Sequence, residues 1–166
     1  MKKIITVLVC VFTLISCGSD KKKEGQEPQE DIYSIEINAI YEKDDSIAVF
    51  YQTDNYMQYD KPLSQLIKGS PMPQKLVIYV PQGIVAENFI VVASTNKNQP
   101  HITVTNITVN IGDLTIDGSN YKYSDLFLTD ASFSWDLEKA RYNLTHTNKY
   151  PPAFVGNEKL LSLVLQ

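Results

Sequence analysis

The chain is poor in the residues that most catalytic and metal centres require. Its 166 residues include two cysteines, two histidines and one tryptophan. Two cysteines cannot form a multi-bridge disulfide framework or a multi-cysteine zinc site. His101 and His146 lie 45 positions apart with no acidic neighbour close in sequence, which leaves little material for a zinc centre or a histidine relay. G-x-S-x-G, H-E-x-x-H, the Walker loop and G-x-G-x-x-G are all missing. No period of 20–50 residues recurs, so a repeat array is excluded. Basic residues are outnumbered, 15 against 19 acidic, for a net charge of −4. Binding to nucleic acid or anionic lipid needs a basic patch, so nucleic acid is not an expected partner. No cofactor and no metal is expected either. What remains is a folding composition, 43% hydrophobic and 20% charged.

Long hydrophobic runs are also scarce. The longest is Ile4 to Ile15, twelve residues broken by Thr6 and Thr13 and preceded by Lys2 and Lys3. A spanning helix needs on the order of 20 residues, so this run reads as an export signal. Its end, Leu14-Ile15-Ser16-Cys17, resembles the bacterial lipobox. The resemblance implies that residues 1–16 are a removed signal peptide. Cys17 would then carry a thioether-linked diacylglycerol, usually with a third acyl chain on its amine. Each buried methylene contributes about 0.8 kcal/mol, so two or three acyl chains hold the protein stably on a lipid bilayer. Cys10 leaves with the leader, and the remaining cysteine is chemically blocked. Removing Lys2 and Lys3 leaves thirteen basic residues against nineteen acidic ones.

Gly18 to Asp31 contains no aliphatic or aromatic residue. Such a segment cannot bury enough surface to offset its ordering entropy, so residues 17–31 read as the lipidated cysteine and a flexible charged tether. Ser19-Asp20 and the charges behind it loosely resemble the sorting signals of surface lipoproteins in the Bacteroidota. Together these features imply a lipid-anchored protein of the cell envelope, on the outer membrane, facing either the surface or the periplasm.

Residues 32–166 read as one all-β domain. Tyr33, Ile35, Ile37, Ala39 and Tyr41 alternate with polar residues, the period of a half-buried strand. Ser46–Gln52, Lys75–Val80 and Phe89–Ala93 are short runs rich in β-branched and aromatic residues. The apolar parity slips between Val104 and Ile107, which predicts a bulge or strand break at Thr105-Asn106. Gly112-Asp113 is a two-residue hairpin signal, and Asp117-Gly118-Ser119-Asn120 is a second turn. Phe133, Trp135 and Leu137 alternate in phase, so Trp135 reads as core, and Tyr142 and Leu144 supply the returning strand. A helical turn is allowed near Tyr123–Leu128. Glu158–Gln166 fits a short helix or a buried final strand. Eight or more short strands indicate an antiparallel β-sandwich with jelly-roll character.

Carboxylates are numerous enough to consider a glycosidase pair among Asp54, Asp60, Asp125, Asp130 and Asp136. Most sit where Asp is an ordinary turn former. Asp113 and Asp117-Gly118 faintly suggest a calcium loop but lack its alternating acids. The more prominent feature is aromatic and amide content in loops. Asp54, Tyr56 and Tyr59 lie among Gln52, Asn55, Gln58 and Asp60; Tyr121 and Tyr123 follow Asn120; Tyr150 precedes two prolines. A sugar presents an apolar C–H face and a ring of hydroxyls, which aromatic rings and Asp, Asn or Gln side chains can meet. The plain alternative is that these tyrosines pack over loop bases. Asp45-Ser46-Ile47 resembles the O-glycosylation acceptor of periplasmic Bacteroidota proteins, with Ser46 as the acceptor.

Val49–Asp54, Ile107-Thr108-Val109, Leu114–Ser119 and the Phe133–Tyr142 hairpin are similar to segments of carbohydrate-binding-module-like β-sandwiches in Bacteroidota cell-envelope lipoproteins. The resemblance implies a non-catalytic module binding a polysaccharide or oligosaccharide at the cell surface. The competing expectation is a structural or assembly lipoprotein that docks another envelope protein. A hydrolase ranks third.

Overall fold

The computed structural model describes residues 32–146 and 151–166. The leader, Cys17, the tether and Tyr150 lie outside the described residues.

Alternation builds the first strands. In β1 (Tyr33–Tyr41), Ile35, Ile37, Ala39 and Tyr41 are buried, whereas Glu36, Asn38 and Ile40 are half-buried. β2 (Asp45–Thr53) follows after a tight connection, then β3 (Tyr56–Met57), β4 (Leu63–Ile67) and β5 (Ser70–Tyr79). β6 (Asn88–Val92) and β7 (His101–Ile111) complete the centre of the molecule. β8 (Leu114–Ile116), a 3-10 turn over Lys122–Asp125, β9 (Phe127–Thr129), β10 (Phe133–Asp136), β11 (Arg141–Leu144), β12 (Ala153–Gly156) and α1 (Glu158–Val164) follow.

Two antiparallel sheets pack as a sandwich. The first runs β10-β11-β7-β1-β5, with β8 also on β7; the second runs β3-β2-β6-β12-β9, with β4 also on β2. Setting aside the short flanking strands leaves β5-β1-β7-β11 opposite β4-β2-β6-β12. That neighbour order is a jelly roll in which the two strands that would open the roll, β11 and β12, come last in the chain. Between the sheets lie Ile35, Ile37, Ile47, Val49, Phe89, Val91, Ile107, Val109 and Phe154, all essentially inaccessible to solvent.

The parity slip in β7 is a bulge. Asn38 pairs with Asn106 and the next residue, Ala39, pairs with Val104, so Thr105 is the extra residue. The slip lets Ile102 and Val104 before it, and Ile107 and Val109 after it, all point inward. Gly112-Asp113 forms the expected two-residue hairpin, with Ile111 opposite Leu114 and Gly112 at φ 52°. β10 and β11 form the second hairpin, pairing Trp135 with Tyr142 and Asp136 with Arg141.

The ambiguous C-terminal segment is helical. Asn157 caps it by accepting from the amides of Lys159 at 3.0 Å and Leu160 at 3.1 Å. Leu160 and Val164, one turn apart, face the core.

Candidate aromatic site

The site grows out of the bulge in β7. Gly118 passes so close to β7 that a Cβ there would fall on the Ile107 carbonyl. The Gly118 amide donates to Thr108 Oγ1 at 3.1 Å, and that hydroxyl donates to Asn106 Oδ1 at 2.7 Å. Asp117 accepts from the Ser119 amide at 3.0 Å and from Lys122 Nζ at 2.8 Å. The lysine bond, first of all, holds the Asp117 carboxyl well below the usual carboxylate range. The bulged Thr105 offers its carbonyl to the Tyr121 amide at 3.2 Å.

Asn120 and Tyr121 both adopt positive φ, 52° and 65°. For a bulky aromatic residue this conformation is strained, and such strain concentrates at functional positions. Its effect is to send two nearby tyrosines in different directions. Tyr123 turns inward and is 1% exposed. Its hydroxyl donates to Val104 O at 3.0 Å and shares a 3.2 Å bond with the Tyr142 hydroxyl. Burial, reinforced by Tyr142, pushes the Tyr123 phenol far above its ordinary pKa of 10.0. Tyr121 turns outward and is 40% exposed.

Beneath Tyr121 lies a continuous aromatic floor. Phe133 meets Phe154 at 4.7 Å between ring centroids and Tyr142 at 5.3 Å; Tyr142 meets Phe154 at 5.5 Å, and Tyr123 meets Phe154 at 5.8 Å. Trp135 sits on this floor, 4.9 Å from Tyr142 and 6.1 Å from Tyr121, which stands at 80° to it.

The expectation that Trp135 is core is corrected here: it is 44% exposed. Alternation places it on the correct side of the strand, but β10 is the outermost strand of its sheet. Phe133 reaches Phe154 of the opposite sheet, whereas the ring neighbours of Trp135 are Tyr121 and Tyr142. Tyr123, expected among the sugar-facing residues, is corrected in the opposite sense. It is a buried support and presents no face to solvent.

Asp54, Tyr56 and Tyr59 lie together elsewhere. Asp54 and Asn55 both have positive φ and close the two-residue hairpin between β2 and β3, with Thr53 opposite Tyr56. Glu87 braces it by accepting from Gln52 Nε2 at 3.1 Å and from the Asn55 amide at 2.9 Å. Tyr56 and Tyr59 are 74% and 65% exposed, and the ring against Tyr59 is Phe50 at 5.6 Å. Among the described residues, no ring contact or hydrogen bond joins this hairpin to the Tyr121–Trp135 group.

Several other candidates make local hydrogen bonds. Asp45 accepts from the amides of Ser46, Thr95 and Asn96 and from the Ser94 hydroxyl, so it organises the loop after β6. Ser46 is half-buried, with Oγ 2.5 Å from Thr95 Oγ1. Asp130 accepts from the amides of Ser132 and Ala153, and Asp136 from that of Lys139. Hydrogen bonds from His101, Lys68 and Lys122 hold the Glu42, Asp44 and Asp117 carboxyls, respectively, below their usual range. His101 Nε2 lies 2.7 Å from Glu42 Oε1, and His146 Nε2 lies 3.1 Å from Gln99 O. Among the described residues, no three His, Cys, Asp or Glu side chains converge as metal ligands, and no helix is long and apolar enough to cross a membrane.

Two surfaces are invisible to sequence patterning. A cleft of about 330 Å³ lies beside the site turn, lined by Leu114, Ile116, Asp117, Lys122, Asp125 and Lys159 among others. The turn therefore gives its charges to the cleft and its rings to the aromatic corner. The second surface is the outer face of the second sheet. Phe50, Ile90, Val155 and Leu128 are consecutive partners across β2, β6, β12 and β9, with Ala48, Val92 and Ala153 in the adjoining row. The pairing of β12 with β6 continues both rows and that of β9 with β12 extends the longer one, and both strands are too short to show a period in sequence. Comparison of the chain with protein-family models, with curated proteins and with solved structures finds no match.

Proposed function

We propose that the domain is a non-catalytic glycan-binding module in which Tyr121 and Trp135 stack on sugar. One observation carries this reading: an exposed indole and an exposed phenol are fixed against each other on a packed aromatic floor. Exposed rings offer the apolar surface that a pyranose C–H face covers, and Asn120 on the same turn is exposed to meet hydroxyls. Holding the rings in place before the ligand arrives removes the cost of ordering them, about 0.5–1.5 kcal/mol per mobile side chain. Retention on polysaccharide affinity gels tests the reading. Trp135→Ala and Tyr121→Ala should release the chain, and retention equal to that of the parent chain would overturn it.

The lipobox resemblance supports an anchor for this module: a bilayer attachment through acylated Cys17, in the cell envelope and on the outer membrane. Membrane fractionation tests the anchor: Cys17→Ala should move the protein to the soluble fraction.

A second reading, docking to another envelope protein, draws support from the apolar outer face of the second sheet. Leu128, 59% exposed, stands at one end of its longer row. If that face docks a partner, Leu128→Asp should abolish co-purification of one defined membrane complex while leaving glycan retention intact.

A further inference from the structure

Resting on the glycan reading, we propose that the Tyr121–Trp135 corner binds one neutral sugar ring at a chain end and not an internal stretch of a flat polysaccharide. Rings that grip successive sugars of an extended chain must present their faces along one line. Here the two rings meet at 80° with centroids 6.1 Å apart. A pyranose stacked on one of them is therefore bounded at its side by the other. Tyr142, part of the floor, packs against Trp135 at 68° and 4.9 Å between centroids and so fixes the indole in place.

Among the described residues, no further exposed ring extends the platform. Tyr123 is buried beneath the corner, and Tyr56 and Tyr59 belong to the β2–β3 hairpin, which makes no ring contact with it. The preference for a neutral sugar follows from where the charges beside the two rings go: next to Trp135, Asp136 and Arg141 lie 3.7 Å apart. Asp117 and Lys122 bond each other at 2.8 Å and line the cleft together with Asp125 and Lys159, themselves 3.5 Å apart. No uncompensated charge of the turn is left to select a uronic acid or a sulfated sugar.

The test uses four neutral polysaccharides as probes, soluble starch, laminarin, xylan and galactomannan. Each is presented intact and after partial acid hydrolysis, at equal mass, as competitor against the same polysaccharide immobilised. Hydrolysis multiplies chain ends without changing the sugar. If ends are bound, the hydrolysed probe competes better per unit mass, roughly in proportion to its new ends, and Tyr121→Ala erases that advantage whereas Tyr121→Phe keeps it. An intact chain that competes as well as or better than its fragments overturns the chain-end proposal and leaves the glycan reading standing. Failure of the parent chain to bind any of the four, or any acidic glycan added to the panel, overturns the glycan reading itself.

Discussion

Two pairs of tyrosines look alike in the sequence and are treated in opposite ways by the fold. Tyr56 and Tyr59 stand on a two-residue hairpin, both largely open to solvent, with Phe50 as the ring beneath Tyr59. Tyr121 and Tyr123 sit on a strained turn that buries one to support the other, above rings from β10, β11 and β12. The difference teaches that exposure alone does not make a binding surface. A ring with few neighbours must be ordered when a ligand arrives, whereas a ring held on several neighbours is already ordered. The proposed site is accordingly the less exposed pair.

The comparison can be broken by mutation. The largest expected effect is that of Tyr123→Ala, which removes a buried ring from the floor and should cost about 3–5 kcal/mol in chemical denaturation. Gly118→Ala comes next. Its new methyl must displace the Ile107 carbonyl, and overpacking of this kind costs about 1–3 kcal/mol. Circular dichroism melts should place it between Tyr123→Ala and the parent chain.

Tyr123→Phe keeps the ring and loses the bonds to Val104 O and the Tyr142 hydroxyl, each worth about 0.5–1.5 kcal/mol. It also sharpens the comparison through pH. Burial raises the Tyr41 and Tyr123 phenols above their ordinary 10.0, so the folded chain holds these protons more tightly than the unfolded chain. Their contribution is fully present below pH 10 and is lost as pH rises beyond it. Urea midpoints should accordingly fall above pH 10, and fall less steeply in Tyr123→Phe than in the parent chain. The smallest effect is expected for Tyr59→Ala, within about 0.5 kcal/mol of the parent chain. Equal losses for Tyr59→Ala and Tyr123→Ala would erase the distinction between the two pairs.

Much of the fold was legible because local patterns and tertiary packing agree. Alternation marked β1, the parity slip marked the bulge at Thr105, and Gly112-Asp113 marked its hairpin. β4, β9 and β12 were not legible. They are three to five residues long and owe their strand geometry to partners far away in sequence, and β4 and β9 carry exposed apolar residues, Leu66 and Leu128. At α1 the clustered leucines obscured a helical spacing that the cap at Asn157 resolves.

The site was half legible for a related reason. Residue types pointed to Tyr121 and Tyr123, but in an extended strand the two would share one face. The positive φ at Asn120 and Tyr121 separates them; asparagine adopts that conformation readily, but a tyrosine following it there is not read from sequence. For Trp135, alternation gave the side of the strand. Whether that side is covered depends on where the opposite sheet ends, which no local pattern carries.

Trp135 is the chain's single tryptophan, so its emission reports directly on the proposed corner. Intrinsic fluorescence, recorded during titration with a glycan that the affinity gels retain, tests sugar binding at that corner most directly. A saturable change in Trp135 emission is predicted, abolished by Tyr121→Ala and unaffected by Tyr56→Ala or Tyr59→Ala. Saturable retention of the glycan with unchanged Trp135 emission would contradict it, and so would loss of binding on Tyr59→Ala alone.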